Sequence, residues 1–467
     1  MFIPELLAPA GNPDKLRACL LYGADAVYLG GASGNLRAAC EGFTEAELGA
    51  AVLQANALGA RVYYCLNSLP MQDDLPSLPP AIESAAGAGV HGFIIADPGV
   101  LRLARRYAPG VPVHLSTQAN TGNSAAVEFW ADQSVSRVNL ARELSARDIY
   151  AVRKACPDME LEVFVHGAMC LAVSGQCLLS AWLNSRSGNQ GRCTQPCRFE
   201  YRALDVETLP DGVFAANKAL VVEEYTRPGE PLWRVEQGER HSSFWAPQDL
   251  CLLPWLSWFC RNRIDALKIE GRMKSSGWLA HVVDAYRTAL DAMADVPSEG
   301  PGGERDAGET GGRHTAHSAG ERRGRRTRAE CLTETLYAAT RPLGSGFFLH
   351  GKRRNLTREL LDLGGLGTRP NRSGEAALPE LGHPLLARVL EPAGLGVWKV
   401  EAHGNWRRSM DVELMLPGLK RPVLVGGSYG LENQRGDLSD LLGNGNRGLL
   451  YSDLPGIVPG IFIRGAE

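Results

Sequence analysis

Four cysteines fall within one short stretch, Val165 to Arg198, which reads VHGAMCLAVSGQCLLSAWLNSRSGNQGRCTQPCR. Cys170, Cys177, Cys193 and Cys197 are separated as C-x6-C, C-x15-C and C-x3-C, spacings that a folded loop can close. Four thiolates at one point are a metal site in the making. A [4Fe-4S] cube takes one cysteine per iron, and its soft iron-sulfide core matches thiolate donors. Zinc takes the same four thiolates tetrahedrally, although structural zinc sites favour paired short knuckles and here only Cys193 and Cys197 form one. Iron-sulfur, zinc and unligated thiols all stand open at this point. Cys251, in the run PQDLC, is an alternative to Cys197 as the fourth ligand. Of the remaining cysteines, Cys40 follows a strand end and is an outside candidate, and the rest read as small buried hydrophobes.

The elements that must position these cysteines come from an alternation of β-type and helical stretches. Short apolar runs at Glu5-Ala8, Ala26-Gly30, Arg61-Leu66, Gly92-Ala96, Pro112-Leu115, Arg137-Leu140, Leu161-Val165 and Ala266-Glu270 read as strands. Helix-like segments such as Asp14-Tyr22, Thr44-Leu58 and Ala146-Ala155 lie between them, with polar starts at Asn12 and Thr44. This pattern predicts a parallel (β/α)8 TIM-like barrel, with an open doubly wound sheet as the competitor. The C-terminal ends of its strands then carry Asn67, Asp97, Ser116-Thr117-Gln118, Arg142-Glu143, His166-Gly167 and Glu270-Gly271-Arg272. That rim is where barrels of this kind hold their chemistry, and the cysteine segment opens directly onto it. His166, Glu270 and Arg272 are therefore the catalytic candidates. Arg142, Glu143 and Lys274 are the candidates for holding an anionic substrate. The bland readings are a hydrogen-bonded structural histidine and an ion pair of Glu270 with Arg272.

The rest of the chain reads as additions to this barrel. The barrel is expected over 1–296, with an insertion at 199–247 and a helix over Asp249-Arg261 leading into the eighth strand. Residues 297–330 are Gly-, Glu- and Arg-rich without apolar periodicity and read as a disordered linker, ending in the arginine run of ERRGRRTR. That run is a solvated segment or a basic tether for RNA. A connecting segment, 331–382, leads to short β-type runs from 383 to 467, expected to form a small antiparallel β-barrel domain. A hydrophobic share of 44%, a charged share of 22% and a net charge of -3 are those of a soluble globular chain, so any RNA contact must come from local basic patches. The beginning of the chain has no basic n-region with a long apolar core, and a cytoplasmic location is expected. The sequence contains no H-E-x-x-H and no P-loop.

ELLAPAGNPDKLRACLLYGADAVYLGG at the start, VFVHGAMCLAVSGQCLLS and GRCTQPCR in the middle, and LKIEGRMKS before the linker resemble the U-32 peptidase family, the collagenase-like peptidases. The C-terminal runs DVELMLPG and LENQRGDLSDLLGNGNRGLL are similar to the terminal β domain of its tRNA-hydroxylating branch. What the resemblance implies differs from the family's name. It implies a cysteine-ligated iron-sulfur cluster on Cys170, Cys177, Cys193 and Cys197, and oxygen-independent hydroxylation. In that branch the reaction forms 5-hydroxyuridine at the wobble position of tRNA, with prephenate as co-substrate. Other branches act on a ribosomal RNA cytidine or on the ubiquinone ring. A peptidase and a non-catalytic RNA-binding partner are the alternatives from other classes.

Overall fold

The computed structural model describes residues 1–31, 42–170, 248–294, 328–339, 343–349 and 384–466, with Gly34, Arg341 and isolated residues or short runs between 172 and 243. Seven strands alternate with helices through the first part of the chain: β1 (Glu5–Pro9), β2 (Ala26–Leu29), β3 (Arg61–Leu66), β4 (Gly92–Ile95), β5 (Val113–Leu115), β6 (Arg137–Asn139) and β7 (Glu160–Gly167). The eighth barrel strand, Ala266–Ile269, pairs in parallel with both β1 and β7 and closes the ring. The expected (β/α)8 barrel is the observed one. Five helix starts are chemically marked. Asn12, Asp97 and Asn123 cap the helices Pro13–Leu21, Pro98–Tyr107 and Ser124–Asp132, while Thr44 and Ser145 form capping boxes with Glu47 and Asp148.

Strand alternation separates two apolar layers. Leu6 and Ala8 join the large core between strands and helices, whereas Leu7 joins Tyr28, Tyr63, Cys65 and Ile94 inside the barrel. Two expectations are corrected in the segments that follow. The residues Asp249–Cys251, expected to begin a helix, form a short strand antiparallel to β7, with Cys251 opposite His166; the helix itself is Leu256–Arg261. Buried apolar residues on both faces favour sheet pairing there over an amphipathic helix. Residues 328–330, assigned to the linker, instead begin a helix over 328–337 whose Cys331 and Leu336 enter the core. The linker over 297–327 and nearly all of the insertion lie outside the described residues.

The C-terminal unit is a curled seven-stranded antiparallel sheet, with a separate ribbon of Trp406–Arg407 and Leu441–Leu442. It wraps its own core, which includes Val389, Val400, Trp406, Leu414 and Ile463. It is fastened to the barrel through the long helix Ser276–Ala294. The Leu385 side chain packs directly on the helix backbone at Gly277, where a Cβ would lie 2.1 Å from its Cδ1. Asp284 of that helix accepts from the Gly418 amide at 2.7 Å and pairs with Arg421 at 2.8 Å. Glu334 gathers His281, Arg421 and Arg464 at 2.8, 2.7 and 3.2 Å. All of these side chains are buried or nearly so, and their mutual pairing offsets the cost of removing them from water.

Candidate functional site at the C-terminal rim of the barrel

The rim is built from strand ends that differ in chemistry. From β3, the Asn67 amide donates to Ser116 Oγ at 3.3 Å and Gln118 Oε1 at 3.4 Å, both beyond β5. After β6, the Arg142 guanidinium lies 4.0 Å over the ring of Phe164 and donates to the Ala168 carbonyl at 3.1 Å. Gly167 ends β7 with φ +103, and a Cβ there would stand 1.9 Å from the Glu270 carbonyl oxygen, so only glycine lets the seventh and eighth strands meet this closely. Beyond the eighth strand, the Lys15 ammonium donates to the Arg272 carbonyl at 2.9 Å.

The cysteine segment leaves β7 and reaches back across this mouth. Gln176 Nε2 donates to the Gln118 carbonyl at 3.0 Å, and the Leu69 amide beyond β3 donates to Asn189 O at 2.8 Å. Contacts to both the β3 and β5 loops place the described parts of the segment over the barrel opening. Within it, the Thr194 amide donates to Ser180 Oγ at 3.0 Å, holding the Cys177 and Cys193 stretches together. Gly188 packs beside both cysteines, its Cβ position 3.7 Å from Cys193 Sγ and 3.8 Å from the Cys177 carbonyl. Cys170, Cys177, Cys193 and Cys197 are all half-buried. Among the described residues no three His, Cys, Asp or Glu side chains converge as a metal site. The donor set nevertheless fits a cysteine-ligated cluster in type and number: four partly accessible thiols on one segment over the mouth.

The other candidates are distributed unevenly. His166 is buried, with its ring 5.5 Å from both Trp278 and Tyr286 of the long helix. A register shift between Lys268 and Ile269 places it opposite Ile269. Burial, and then the charge of Lys274, pushes its pKa down to about 3, so the imidazole is neutral at physiological pH. Cys251 is fully buried, its thiol pushed up to about 11 by burial, and its sulfur lies 4.0 Å from the Tyr286 hydroxyl. Its surroundings are those of a core thiol rather than a rim ligand. Glu270 accepts from the Tyr28 hydroxyl at 3.3 Å. Arg272 is buried, and its charge counters the burial that raises the Tyr64 and Cys65 pKa values. Lys274 sits 3.6 Å from Asp249 and 5.3 Å from the Trp278 ring centroid, while Glu143 is half-buried beside Arg142. Thus Arg142, the cysteines and the residues after the eighth strand share the mouth, whereas His166 turns into the packing beneath it. Cys40 lies outside the described residues.

Several polar residues inside the barrel escaped the sequence reading. Lys268 pairs with Glu162 at 2.8 Å and lies 4.4 Å over the Tyr28 ring. His114 packs on Tyr63 at 4.5 Å and is held neutral by burial and by Arg137. Asn139 ends β6, fully buried. Their signal was present as polar residues two apart in short apolar strands, Arg137 with Asn139 and Glu160 with Glu162. A cleft of about 830 Å3 opens at the other end of the barrel, lined by residues including Asp25, Arg61, Glu160, Asp265 and Arg287. Its charges are matched, with Arg287 3.0 Å from Asp25 and 2.7 Å from Asp291. The N-terminal face of such barrels serves stability, and we do not read this cleft as the reactive site.

The profile of Peptidase family U32 matches residues 11–355, most of the chain. The chain belongs to this family. The tRNA hydroxylation protein P of Escherichia coli (strain K12) is 37% identical over 314 residues, covering 63% of this chain and 69% of that protein. The tRNA hydroxylation protein P1 of Bacillus subtilis (strain 168) is 39% identical over 295 residues, covering 63% of this chain and 64% of that one. The 23S rRNA 5-hydroxycytidine C2501 synthase of E. coli is 29% identical and aligns over 40% of its own length. Alignment to the two tRNA hydroxylation proteins thus spans about two thirds of their lengths. Among solved structures, the U32 peptidase Mk0906 superposes with a TM-score of 0.32 at 18% identity, covering 37% of this chain and 72% of that one. No helix among the described residues is long and apolar enough to cross a membrane.

Proposed function

We propose that this U32-family chain is a cytoplasmic tRNA hydroxylase that forms 5-hydroxyuridine at the wobble position, in an oxygen-independent reaction that uses prephenate. The observation that carries the reading is the four-cysteine segment lying over the mouth of the barrel, in a chain whose relatives include tRNA hydroxylation proteins of two bacteria. Replacing C–H by C–OH on the base is a two-electron oxidation, which acid–base side chains do not perform by themselves. A [4Fe-4S] cluster held by Cys170, Cys177, Cys193 and Cys197 would supply that redox capacity when bound. The chain's own residues bind and orient. Arg142, fixed on Phe164 and the Ala168 carbonyl, offers a cation toward the RNA backbone or a carboxylate of the co-substrate. Lys274 and Arg272 add positive charge beyond the eighth strand, two strands along the rim from Arg142. The neutral, packed His166 carries no imidazolium proton to donate at neutral pH.

The peptidase reading finds less support. None of the described histidines hydrogen-bonds a serine, threonine or cysteine, so the Ser–His or Cys–His pair of a nucleophilic hydrolase is not formed among them. The decisive test is nucleoside analysis of bulk tRNA from a deletion strain, complemented with wild type or with a variant carrying alanine at all four cysteines. Return of 5-hydroxyuridine-derived nucleosides with wild type alone supports the reading. Unchanged tRNA in the deletion strain would sink it.

A further inference from the structure

The charged groups Glu5, Arg137, Glu162 and Lys268 inside the barrel are paired with one another, and the amide at the end of β6 is not. Arg137 and Asn139 are two apart on this strand, so both side chains enter the barrel. Arg137 meets Glu5 at 2.6 Å, and Asn139 sits one layer closer to the rim, in register with Glu162. Asn139 is only 1% exposed, yet neither Oδ1 nor Nδ2 has a hydrogen-bond partner among the described residues. On the neighbouring strands, Glu162 is held by Lys268 at 2.8 Å and Arg137 at 3.6 Å, and His114, in register with Arg137, leaves its Nδ1 unpaired one layer below. Buried polar atoms are almost always paired, and an amide with both its atoms unpaired beneath an active rim calls for a partner from outside the chain. The Arg142–Phe164 stack stands at the same rim, beyond β6 and on β7.

The chemistry of the partner follows from the amide. A primary amide presents an acceptor and a donor side by side in one plane. Its complement is a flat group with a donor beside an acceptor, which the imide edge of uracil provides as N3–H next to a carbonyl. A base buried in an RNA loop reaches such a group only by being turned out into the site, the usual course of enzymes that act on bases. Resting on the function proposed above, we propose that Asn139 reads the target uracil inside the barrel mouth, Oδ1 accepting from N3–H and Nδ2 donating to the adjacent carbonyl.

The test measures binding of full-length protein to anticodon stem-loops bearing uridine or 3-methyluridine at the wobble position, by fluorescence anisotropy, for wild type and Asn139→Leu. The methyl group removes the N3 donor while leaving the backbone unchanged. Wild type should prefer uridine by about tenfold, the usual worth of a paired base contact. Asn139→Leu should bind both loops alike, at the weaker level, and should melt no lower than wild type because it buries no unpaired amide. Retention of the tenfold preference in Asn139→Leu overturns the assignment, as does a lower melting temperature, which would mean that the amide is satisfied within the fold. Wild type that binds both loops equally overturns this inference alone. Wild type that binds neither overturns the function on which it rests.

Discussion

At the N-terminal end of the barrel, Glu5 accepts from Arg137 at 2.6 Å and from Arg61 at 2.7 Å, and Arg137 reaches on to Glu160 at 2.8 Å. At the C-terminal end, the same β6 carries an unpaired amide on Asn139, beneath a loop with four half-buried thiols. One end closes its charges on one another, and the other leaves a buried amide without a partner among the described residues. The first arrangement stabilises a fold, and the second is what a site requires before its ligand arrives. Substitutions at the two ends should therefore fail differently, in stability at one and in chemistry at the other.

The largest contrast is expected between two kinds of cysteine. Cys193→Ala should abolish bound iron and labile sulfide after anaerobic purification, and with them the modified nucleoside, while the thermal transition of the metal-free protein stays close to that of wild type. Cys251→Ala should keep its iron and its product and lose about 1–2 kcal/mol from the small cavity left against Tyr286. Metal analysis by mass spectrometry separates the two at once. Loss of iron in Cys251→Ala would move that thiol from the core to the ligand set, and zinc in wild type would replace the redox reading with a structural one.

At the opposite end, Arg137→Ala should cost about 3–5 kcal/mol, because it leaves Glu5 and Glu162 as buried carboxylates without their guanidinium. In a barrel of this size that is a fall of roughly 10 °C in the thermal midpoint. Iron content and product per folded molecule should stay unchanged at a temperature where the variant is folded. A variant that folds as well as wild type but makes no product would place Arg137 in the reactive site and erase the difference between the two ends.

Much of this division was legible in the sequence. The eight strands were readable as short apolar runs, and Asn12, Thr44, Asp97 and Ser145 cap the helices that follow four of them as their types require. The cysteine segment stood out by spacing alone. The fate of His166 did not, since a histidine at a strand end looks the same whether it faces the mouth or, after a one-residue register shift, the aromatic rings of a helix more than a hundred residues away. The strand at Asp249–Cys251 was mistaken for a helix start because both faces are buried and period then carries no information. Asn139 was passed over because its meaning lies in what it fails to touch.

His166 offers the most sensitive probe of the boundary between mouth and packing. Its folded pKa, about 3, lies below the ordinary value near 6.5, so the native state prefers the neutral ring. Above about pH 7 neither state is protonated there, and the residue contributes no pH dependence. As pH falls below about 6.5 the unfolded chain takes up a proton that the native chain refuses, and stability drops by up to about 1.4 kcal/mol per pH unit until the folded pKa is reached. His114, held neutral by burial, and the depressed carboxyl of Glu334 act in the same direction, so wild type alone does not isolate the effect. His166→Phe keeps a ring between Trp278 and Tyr286 and removes the titration. Denaturant unfolding at about pH 7, 6 and 5 should show the variant losing stability less steeply than wild type, by close to one proton per molecule. Parallel slopes would mean that His166 already takes up a proton in the native protein, and would return it from the packing beneath the mouth to the list of groups that can move one.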